Sequence, residues 1–168
     1  SSSADYFRRL EKKQVILSAE KRREKILREV ARILGRRGLK AYLPEQLVSE
    51  VVYLTEFPTV LLGDFDSRFL TIPDVILKSA MTHHQRYFPV MSRNGKLAPH
   101  FLVVRNGPPD KKKLVARGNA RVLSARMSDA KYFFETDLKK KLSDRIEGLK
   151  GVVYLEGLGS LHDRARRI

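Results

Sequence analysis

The 168-residue sequence contains no cysteine and no tryptophan, and it has 19 acidic residues against 34 lysines and arginines. Without cysteine the chain has no disulfide, no thiol nucleophile and no Cys-based zinc site, which fits a reducing cytosol. No apolar run approaches the roughly 20 residues that cross a bilayer, so a membrane-spanning helix is excluded. The first four residues lead directly into charged residues, unlike a signal peptide. We therefore expect a cytoplasmic location.

The remaining composition is that of a folded, globular chain. Hydrophobic residues make up 42% of the sequence and charged residues 32%, a balance that permits a buried core and differs from that of disordered segments. A length of 168 residues is enough for one domain with its own core and short for two of full size. The composition therefore predicts one main folded domain.

The formal net charge is +15, and the positive charge lies at both ends of the chain. Residues 1–40 carry +8, residues 41–110 carry −1 and residues 111–168 carry +8. This distribution indicates a polyanionic partner that meets helical faces. The alternative is a solvated surface adapted to solubility or to high temperature, where lysine, arginine and glutamate all rise. Glutamate does not rise in proportion here.

Apolar residues at helical spacing predict a helix from Ala19 to about Arg37, with Ser18 as its N-terminal cap. Further helices are predicted after Pro44 and after Pro73, because proline fits the first turn of a helix. The helix predicted over residues 19–37 has basic faces beside its apolar stripe. Its candidate phosphate-contacting side chains are Arg22, Lys25, Arg32 and Arg36.

The middle of the chain carries strand signals. A short apolar run from Thr59 to Leu62 predicts a strand buried on both faces. Asp64 and Asp66 follow it, and we interpret them as turn residues rather than metal ligands, because aspartate after a strand commonly bonds to turn backbone. Strands over 86–91 and 101–105 flank an Asn-Gly pair and form a predicted central hairpin. Helices interspersed with a hairpin indicate an α+β class, with a mixed or antiparallel sheet flanked by amphipathic helices.

The second basic region begins after a Gly-Pro-Pro break at residues 107–109. An apolar stripe predicts a helix between Gly118 and Thr136. A short helix over 142–149 and a strand over 152–155 are predicted to follow. The candidate phosphate contacts of this region are Lys111, Lys112, Lys113, Arg117, Arg121, Lys139, Lys140 and Lys141.

The densest group of polar donors and acceptors is His83, His84, Gln85 and Arg86. Arg86 can bond a carboxylate or a phosphate through two of its nitrogens. Adjacent histidines project in different directions and no cysteine is available, so we expect no metal site. Two interpretations of this polar cluster stay open: it is satisfied within the domain, or it contacts a ligand directly.

Five segments of the sequence share the order and spacing of one known family. They are residues 56–66, 99–107, 118–134 and 158–161, together with the run Met81-Thr82-His83-His84-Gln85-Arg86-Tyr87-Phe88-Pro89-Val90. Taken together, they resemble the beta subunit of the bacterial heterotetrameric glycyl-tRNA synthetase, and the similarity covers roughly residues 18–168. Members of that family are several times longer, so the resemblance implies an internal fragment.

The resemblance also implies a function. In this family glycine activation, with its ATP and Mg²⁺, is carried out by a separate alpha subunit, while the beta subunit binds and positions tRNA. The expectation is a noncatalytic tRNA-binding and scaffolding part of the ligase, with tRNA-Gly and the alpha subunit as partners. The RNA contacts would come from the lysines and arginines named above. No catalytic residue, cofactor, membrane or DNA partner is expected for this segment.

Two other functions follow from the same resemblance. The corresponding region is similar in arrangement to the editing module of phenylalanyl-tRNA synthetase beta subunits, so His83, His84 and Gln85 could line a cleft for a mischarged aminoacyl ester. Glycine is the smallest amino acid, however, and a synthetic site that excludes larger ones has little need of a second sieve. The other alternative is a purely structural interface with the alpha subunit.

The expected domain division has three parts. Residues 1–17 form an N-terminal arm, and residues 18–156 form the α+β domain. Residues 157–168 are the truncated start of a following helical domain, which the resemblance identifies as HD-like. The His162-Asp163 pair in that last segment lacks the further ligands that a metal-binding HD site needs.

Overall fold

The computed structural model describes residues 3–111 and 113–168. The chain divides into two units, of which the first ends at Ala130 and the second comprises Lys131–Ile168. The boundary between them falls within one long helix. The three-part division expected from the sequence, with boundaries after residues 17 and 156, stays a prediction.

Helices and strands are interspersed in the first unit. Within the segment predicted as an arm, residues Ser3–Lys12 form a helix, α1. The elements in chain order are α1 (Ser3–Lys12), α2 (Ala19–Gly35), β1 (Lys40–Ala41), α3 (Glu45–Leu54), β2 (Pro58–Asp64), a 3₁₀ turn (Ser67–Thr71), α4 (Asp74–Ser79), a π-helical turn (Ala80–His84), β3 (Phe88–Met91), β4 (Leu97–Asn106) and the long helix α5 (Leu114–Asp137).

The described residues form one four-stranded antiparallel sheet in the order β1-β3-β4-β2. Strands β3 and β4 form the hairpin that the Asn-Gly pair predicts, and Gly95 in its turn has φ +78, a backbone that glycine adopts without strain. Strand β2 pairs with β4 along its whole length, from Pro58 opposite Asn106 to Asp64 opposite His100. The predicted α+β class is confirmed, and the sheet is antiparallel rather than mixed.

Helices α2 and α3 cover one face of this sheet. Their apolar stripes pack against every second residue of the strands, as the period of two in a β-strand requires. Glu29 of α2 adds a polar tie, because its carboxylate accepts the backbone N–H of Val60 at 2.8 Å. The buried core on this face comprises Ile26, Val30, Leu34, Leu47, Val48, Val51, Val52, Val60, Phe88, Val90, Ala98 and Leu102.

Helix α5 lies on the other face, and its Leu123 and Met127 side chains are fully buried. Phe101 of β4 points to this face and stacks on Tyr87, with ring centroids 4.9 Å apart. The Tyr87 hydroxyl donates to the side-chain oxygen of Asn119 at 2.5 Å and so ties the sheet to α5. Burial of this phenol raises the pKa of Tyr87, because the charged form would lose its solvation.

Helix prediction from the sequence was accurate where a cap accompanies the apolar stripe. Ser18 accepts the backbone N–H of Lys21 at 3.1 Å, as predicted for the start of α2.

Asp66 accepts the N–H of Arg68 at 2.9 Å, which confirms its turn role. Asp64 instead pairs with His100, the residue opposite it in the sheet. That pairing depends on strand register, which no local motif specifies.

The second unit contains the end of α5, two 3₁₀ turns (Leu142–Arg145 and Glu147–Gly151) and a terminal helix, α6 (Leu161–Arg167). Ser160 and Asp163 form a reciprocal capping box at the start of α6, and these hydrogen bonds lower the pKa of the Asp163 carboxyl. Two predictions in this unit were wrong. The segment over 142–149 forms 3₁₀ turns rather than one helix, and 152–155 has only an isolated bridge from Val153 to Ser160 instead of a strand.

Candidate nucleic-acid interface

Local capping at the start of α5 places the second basic region. The carboxylate of Asp110 accepts the backbone N–H groups of Leu114 at 3.1 Å and Ala116 at 3.0 Å. These bonds satisfy donors that the first turn of a helix leaves without intrahelical partners. Lys113 precedes the helix with φ 54, a left-handed backbone conformation that is uncommon for a residue with a side chain. The chain therefore turns sharply here, and Lys113 and Arg117 lie at the entry to α5.

The two basic regions of the sequence meet at one cleft in the first unit. Arg36 and Arg37 reach it from the end of α2, while Lys113 and Arg117 reach it from the start of α5. The cleft has a volume of about 700 Å³ and runs along β2, whose edge forms its floor. We call it the α2–α5 cleft, and it is lined by Ile33, Arg36, Arg37, Val60, Leu61, Leu62, Gly63, Asp64, Asp110, Lys113, Ala116, Arg117 and Ala120.

The two carboxylates that line the α2–α5 cleft are already engaged. Asp64 lies 2.6 Å from Nδ1 of His100, and Asp110 caps α5 as described above. Four cationic side chains therefore share the cleft with only two carboxylates, each of which already has another partner. This excess favours an anionic ligand over a cationic one.

Two more of the candidate phosphate contacts extend this basic surface along the helices. Arg32 lies four residues before Arg36, and Arg121 lies four residues after Arg117, so each shares a helix face with a residue of the cleft. Both side chains are exposed. Neither forms an ion pair or side-chain hydrogen bond with any residue that the structure describes.

Arg22 and Lys25 have structural contacts instead. The Arg22 guanidinium donates to the backbone carbonyls of Val52 at 3.0 Å, Ile16 at 2.7 Å and Leu17 at 2.8 Å. Lys25 pairs with Glu29 and lies 5.1 Å from the centre of the Phe57 ring. These contacts join α2 to α3, to the segment before α2 and to Phe57, the residue before β2. We therefore assign neither side chain to RNA binding.

We expect Arg22→Lys to lower the free energy of unfolding by about 1–2 kcal/mol, because an ammonium cannot reproduce a planar fork that donates to three carbonyls. Urea unfolding measures this change. Arg28→Lys, at an exposed position of the same helix, is the control and should stay within about 0.5 kcal/mol. RNA affinity of the folded Arg22→Lys protein should be unchanged, and a marked loss would show that Arg22 contacts the ligand.

Among the described residues, Lys111 and the Lys139–Lys141 triplet do not line the α2–α5 cleft. Lys111, two positions before Lys113, is exposed, and Lys112 lies outside the described residues. The Lys139–Lys141 triplet is exposed in the second unit. Conversely, the sequence interpretation missed Arg37 as a candidate. Its position directly after Arg36, at the end of a basic helix, was the available signal.

The polar cluster lies at a second, smaller cleft between α3 and the π-helical turn. Arg86 Nε lies 3.5 Å from the carboxylate of Glu50, and His83 Nδ1 lies 3.2 Å from the Ser79 hydroxyl. His84 is exposed and Gln85 half-buried. This cleft has a volume of about 280 Å³; we call it the Arg86 pocket, and its lining residues are Tyr42, Pro44, Gln46, Leu47, Glu50, Thr82, His83 and Arg86.

Two further observations concern ions and membranes. Across residues 3–111 and 113–168, no group of three or more histidine, aspartate or glutamate side chains could hold a metal ion. In the same part of the chain, no helix combines the length and the apolar character that crossing a bilayer requires.

The first unit is a basic α+β domain whose two long helices, α2 and α5, bring four cationic side chains to one cleft. Comparison with known proteins identifies the family. The chain belongs to the glycyl-tRNA synthetase beta subunit family, since the family model of that description matches residues 1–168. The resemblance seen in the sequence is thereby confirmed.

Curated relatives are similar along almost the whole chain. The Glycine--tRNA ligase beta subunit of Desulforamulus reducens is 42% identical over 98% of this chain, and that of Bacillus subtilis is 40% identical over 99%. The corresponding subunit of Syntrophomonas wolfei is 41% identical over 100% of the chain. The chain spans 24%, 25% and 24% of these three relatives, respectively, or about a quarter of their length.

Proposed function

We propose that this chain is a noncatalytic, tRNA-binding and scaffolding part of a glycine–tRNA ligase beta subunit. In this proposal it works in the cytoplasm with an alpha subunit and tRNA-Gly. The alpha subunit supplies the ATP- and Mg²⁺-dependent activation of glycine. Family membership supports the ligase assignment, and the α2–α5 cleft supports the role in RNA binding.

The observation that carries the proposal is the meeting of two basic regions that are far apart in the sequence. Arg36 and Lys113 are separated by more than seventy positions, yet both line the α2–α5 cleft. A solvated surface adapted only to solubility gives no reason for such a meeting, because dispersed charges repel one another less. A phosphate backbone supplies the negative charge that would stabilise it.

In the proposed complex, the arginines of the α2–α5 cleft bond phosphate oxygens through two nitrogens each, and Lys113 acts as a point charge. Arg32 and Arg121 continue these contacts along the strand. Such contacts position RNA without reading its bases. The floor of the cleft, formed by β2, offers mainly apolar side chains to the ribose. Discrimination among tRNAs would then come from shape and from other parts of the subunit.

The test is the salt dependence of tRNA affinity for the full chain, measured by fluorescence anisotropy. If four to six phosphates are contacted, the slope of log K against log salt should be about −3 to −5, because each contact releases counterions. Transfer RNA with another anticodon should give a similar slope, since the contacts are to backbone. An affinity that does not change between about 50 and 200 mM salt would contradict the proposal.

A further inference from the structure

The Arg86 pocket has a backbone geometry that the proposed RNA contacts do not use. Residues Ala80–His84 form a π-helical turn, and Arg86 follows with φ 54. Both conformations are uncommon, and both occur preferentially at functional sites, where the surrounding structure stabilises them. Their effect here is to end α4 and to bring His83 and Arg86 to the same cleft as residues of α3.

Charges of opposite sign face each other across this pocket. The Arg86 guanidinium lies between the Glu50 carboxylate, at 3.5 Å, and the backbone carbonyl of His83, at 3.3 Å. A guanidinium has five N–H donors, so these two contacts leave donors available. The Arg86 and Glu50 side chains are 50% and 40% exposed. A ligand can therefore reach both charges.

Other polar groups of the pocket are held in place. His83 uses Nδ1 in its contact with the Ser79 hydroxyl, which leaves Nε2 for a ligand. The Thr82 hydroxyl donates to the carbonyl of Lys78 at 2.9 Å, and Thr82 is itself 9% exposed. Gln46 adds an amide from α3. The site is thus formed by groups from α3 and from the π-helical turn together.

The size of the pocket restricts the ligand. A volume of about 280 Å³ lies just below the range of about 300–1,000 Å³ that holds drug-sized ligands, which favours a small ligand. Pro44 and Leu47 provide an apolar wall for a short side chain. A purely anionic ligand is disfavoured because Glu50 repels it, and a purely cationic one because Arg86 does.

We propose that the Arg86 pocket binds a small zwitterion that carries an amine and a carboxylate on one carbon, as a free α-amino acid does. The carboxylate bonds Arg86, the amine bonds Glu50, and the side chain lies against Pro44 and Leu47. Such a ligand replaces one exposed ion pair with two charge-assisted contacts. The proposal concerns binding alone, and it stands independently of the RNA-binding function.

The test uses L-alanine, L-alanine methyl ester and propionate as probes of the full chain, observed by heteronuclear NMR. The ester lacks the carboxylate charge and propionate lacks the amine. We expect saturable shifts of the backbone amides of Gln46, Glu50, Thr82 and His83 with L-alanine in the millimolar range, and binding of the other two weaker by about tenfold or more. Equal binding of either half-ligand, or no saturable shifts with L-alanine, overturns the proposal.

Two variants separate ligand binding from structure. Arg86→Asn keeps a residue type that tolerates the left-handed backbone, so the protein should retain its Tm while L-alanine binding is lost. Arg68→Asn is the matched control, because Arg68 also pairs with a carboxylate, Asp66, at 3.3 Å; L-alanine binding should persist. Retained L-alanine binding in Arg86→Asn would overturn the proposal.

Another substitution in the pocket, Glu50→Gln, keeps the proposal testable if Arg86→Asn fails to fold. Glu50→Gln removes the partner of the amine and the charge that repels anions. It should weaken L-alanine by about tenfold while it strengthens propionate. Equal changes for both probes, or no change for either, would show that Glu50 does not contact the amine.

Discussion

Replacing Arg36, Arg37, Lys113 and Arg117 together with glutamine is expected to lower tRNA affinity by about a hundredfold. These four residues line the α2–α5 cleft, and an exposed ionic contact contributes about 0.2–1 kcal/mol. At about 0.7 kcal/mol for each lost charge, the total approaches the energy of two factors of ten in affinity. Fluorescence anisotropy with the full chain at one fixed salt concentration measures this loss.

The matched control removes the same charge from another surface. Arg8, Arg9, Lys12 and Lys13 are all exposed, in or directly after α1, and their replacement with glutamine changes the net charge equally. If affinity depends on the cleft, this control should retain affinity within about threefold. Equal losses in both variants would mean that tRNA responds to overall charge, and the role of the cleft would be refuted.

Salt dependence adds a second measurement to the same pair of variants. Each phosphate contact contributes close to one unit of slope, so the cleft variant should lose about three to four units while the control keeps the original slope. A cleft variant that loses affinity at an unchanged slope would have been altered in structure rather than in its ionic contacts. Circular dichroism of the variants checks for that outcome independently.

The parts of the fold that could be predicted from the sequence are those that local chemistry determines. Ser18 and the apolar stripe that follows specify α2, and Asn94-Gly95 specifies the hairpin between β3 and β4. Each signal lies within a few residues of the element that it predicts. For the same reason the α+β class followed from the order of the elements.

The candidate sites required long-range information. Arg36 and Lys113 line the same cleft because of how α2 and α5 lie beside β2. The pairing of Arg86 with Glu50 joins residues 36 positions apart. No periodicity or turn motif encodes such distances. The incorrect strand over 152–155 has a related cause: an apolar run forms a strand only where a partner strand is available, and Val153 finds only a single bridge to Ser160.

The second large effect concerns Gly63, which lies in the floor of the α2–α5 cleft and directly opposite Phe101 in the sheet. A Cβ atom at position 63 would lie 2.3 Å from Cζ and 2.6 Å from Cε1 of the Phe101 ring. That ring is fully buried and stacks on Tyr87, whose hydroxyl is bonded to Asn119. Because the ring has no free volume to enter, we expect Gly63→Ala to lower the free energy of unfolding by about 2–3 kcal/mol.

Urea unfolding of Gly63→Ala and of two further variants tests this expectation. Gly35→Ala, at the end of α2, meets no atom within 4 Å and should be neutral or stabilising by up to about 1 kcal/mol. The double variant Gly63→Ala with Phe101→Leu shortens the obstructing side chain, so its loss should be smaller than the two single losses together by at least about 1 kcal/mol. Strictly additive losses would place the clash elsewhere. A Gly63→Ala protein as stable as the parent would show that the close packing of β2 against Phe101 does not hold the floor of the cleft.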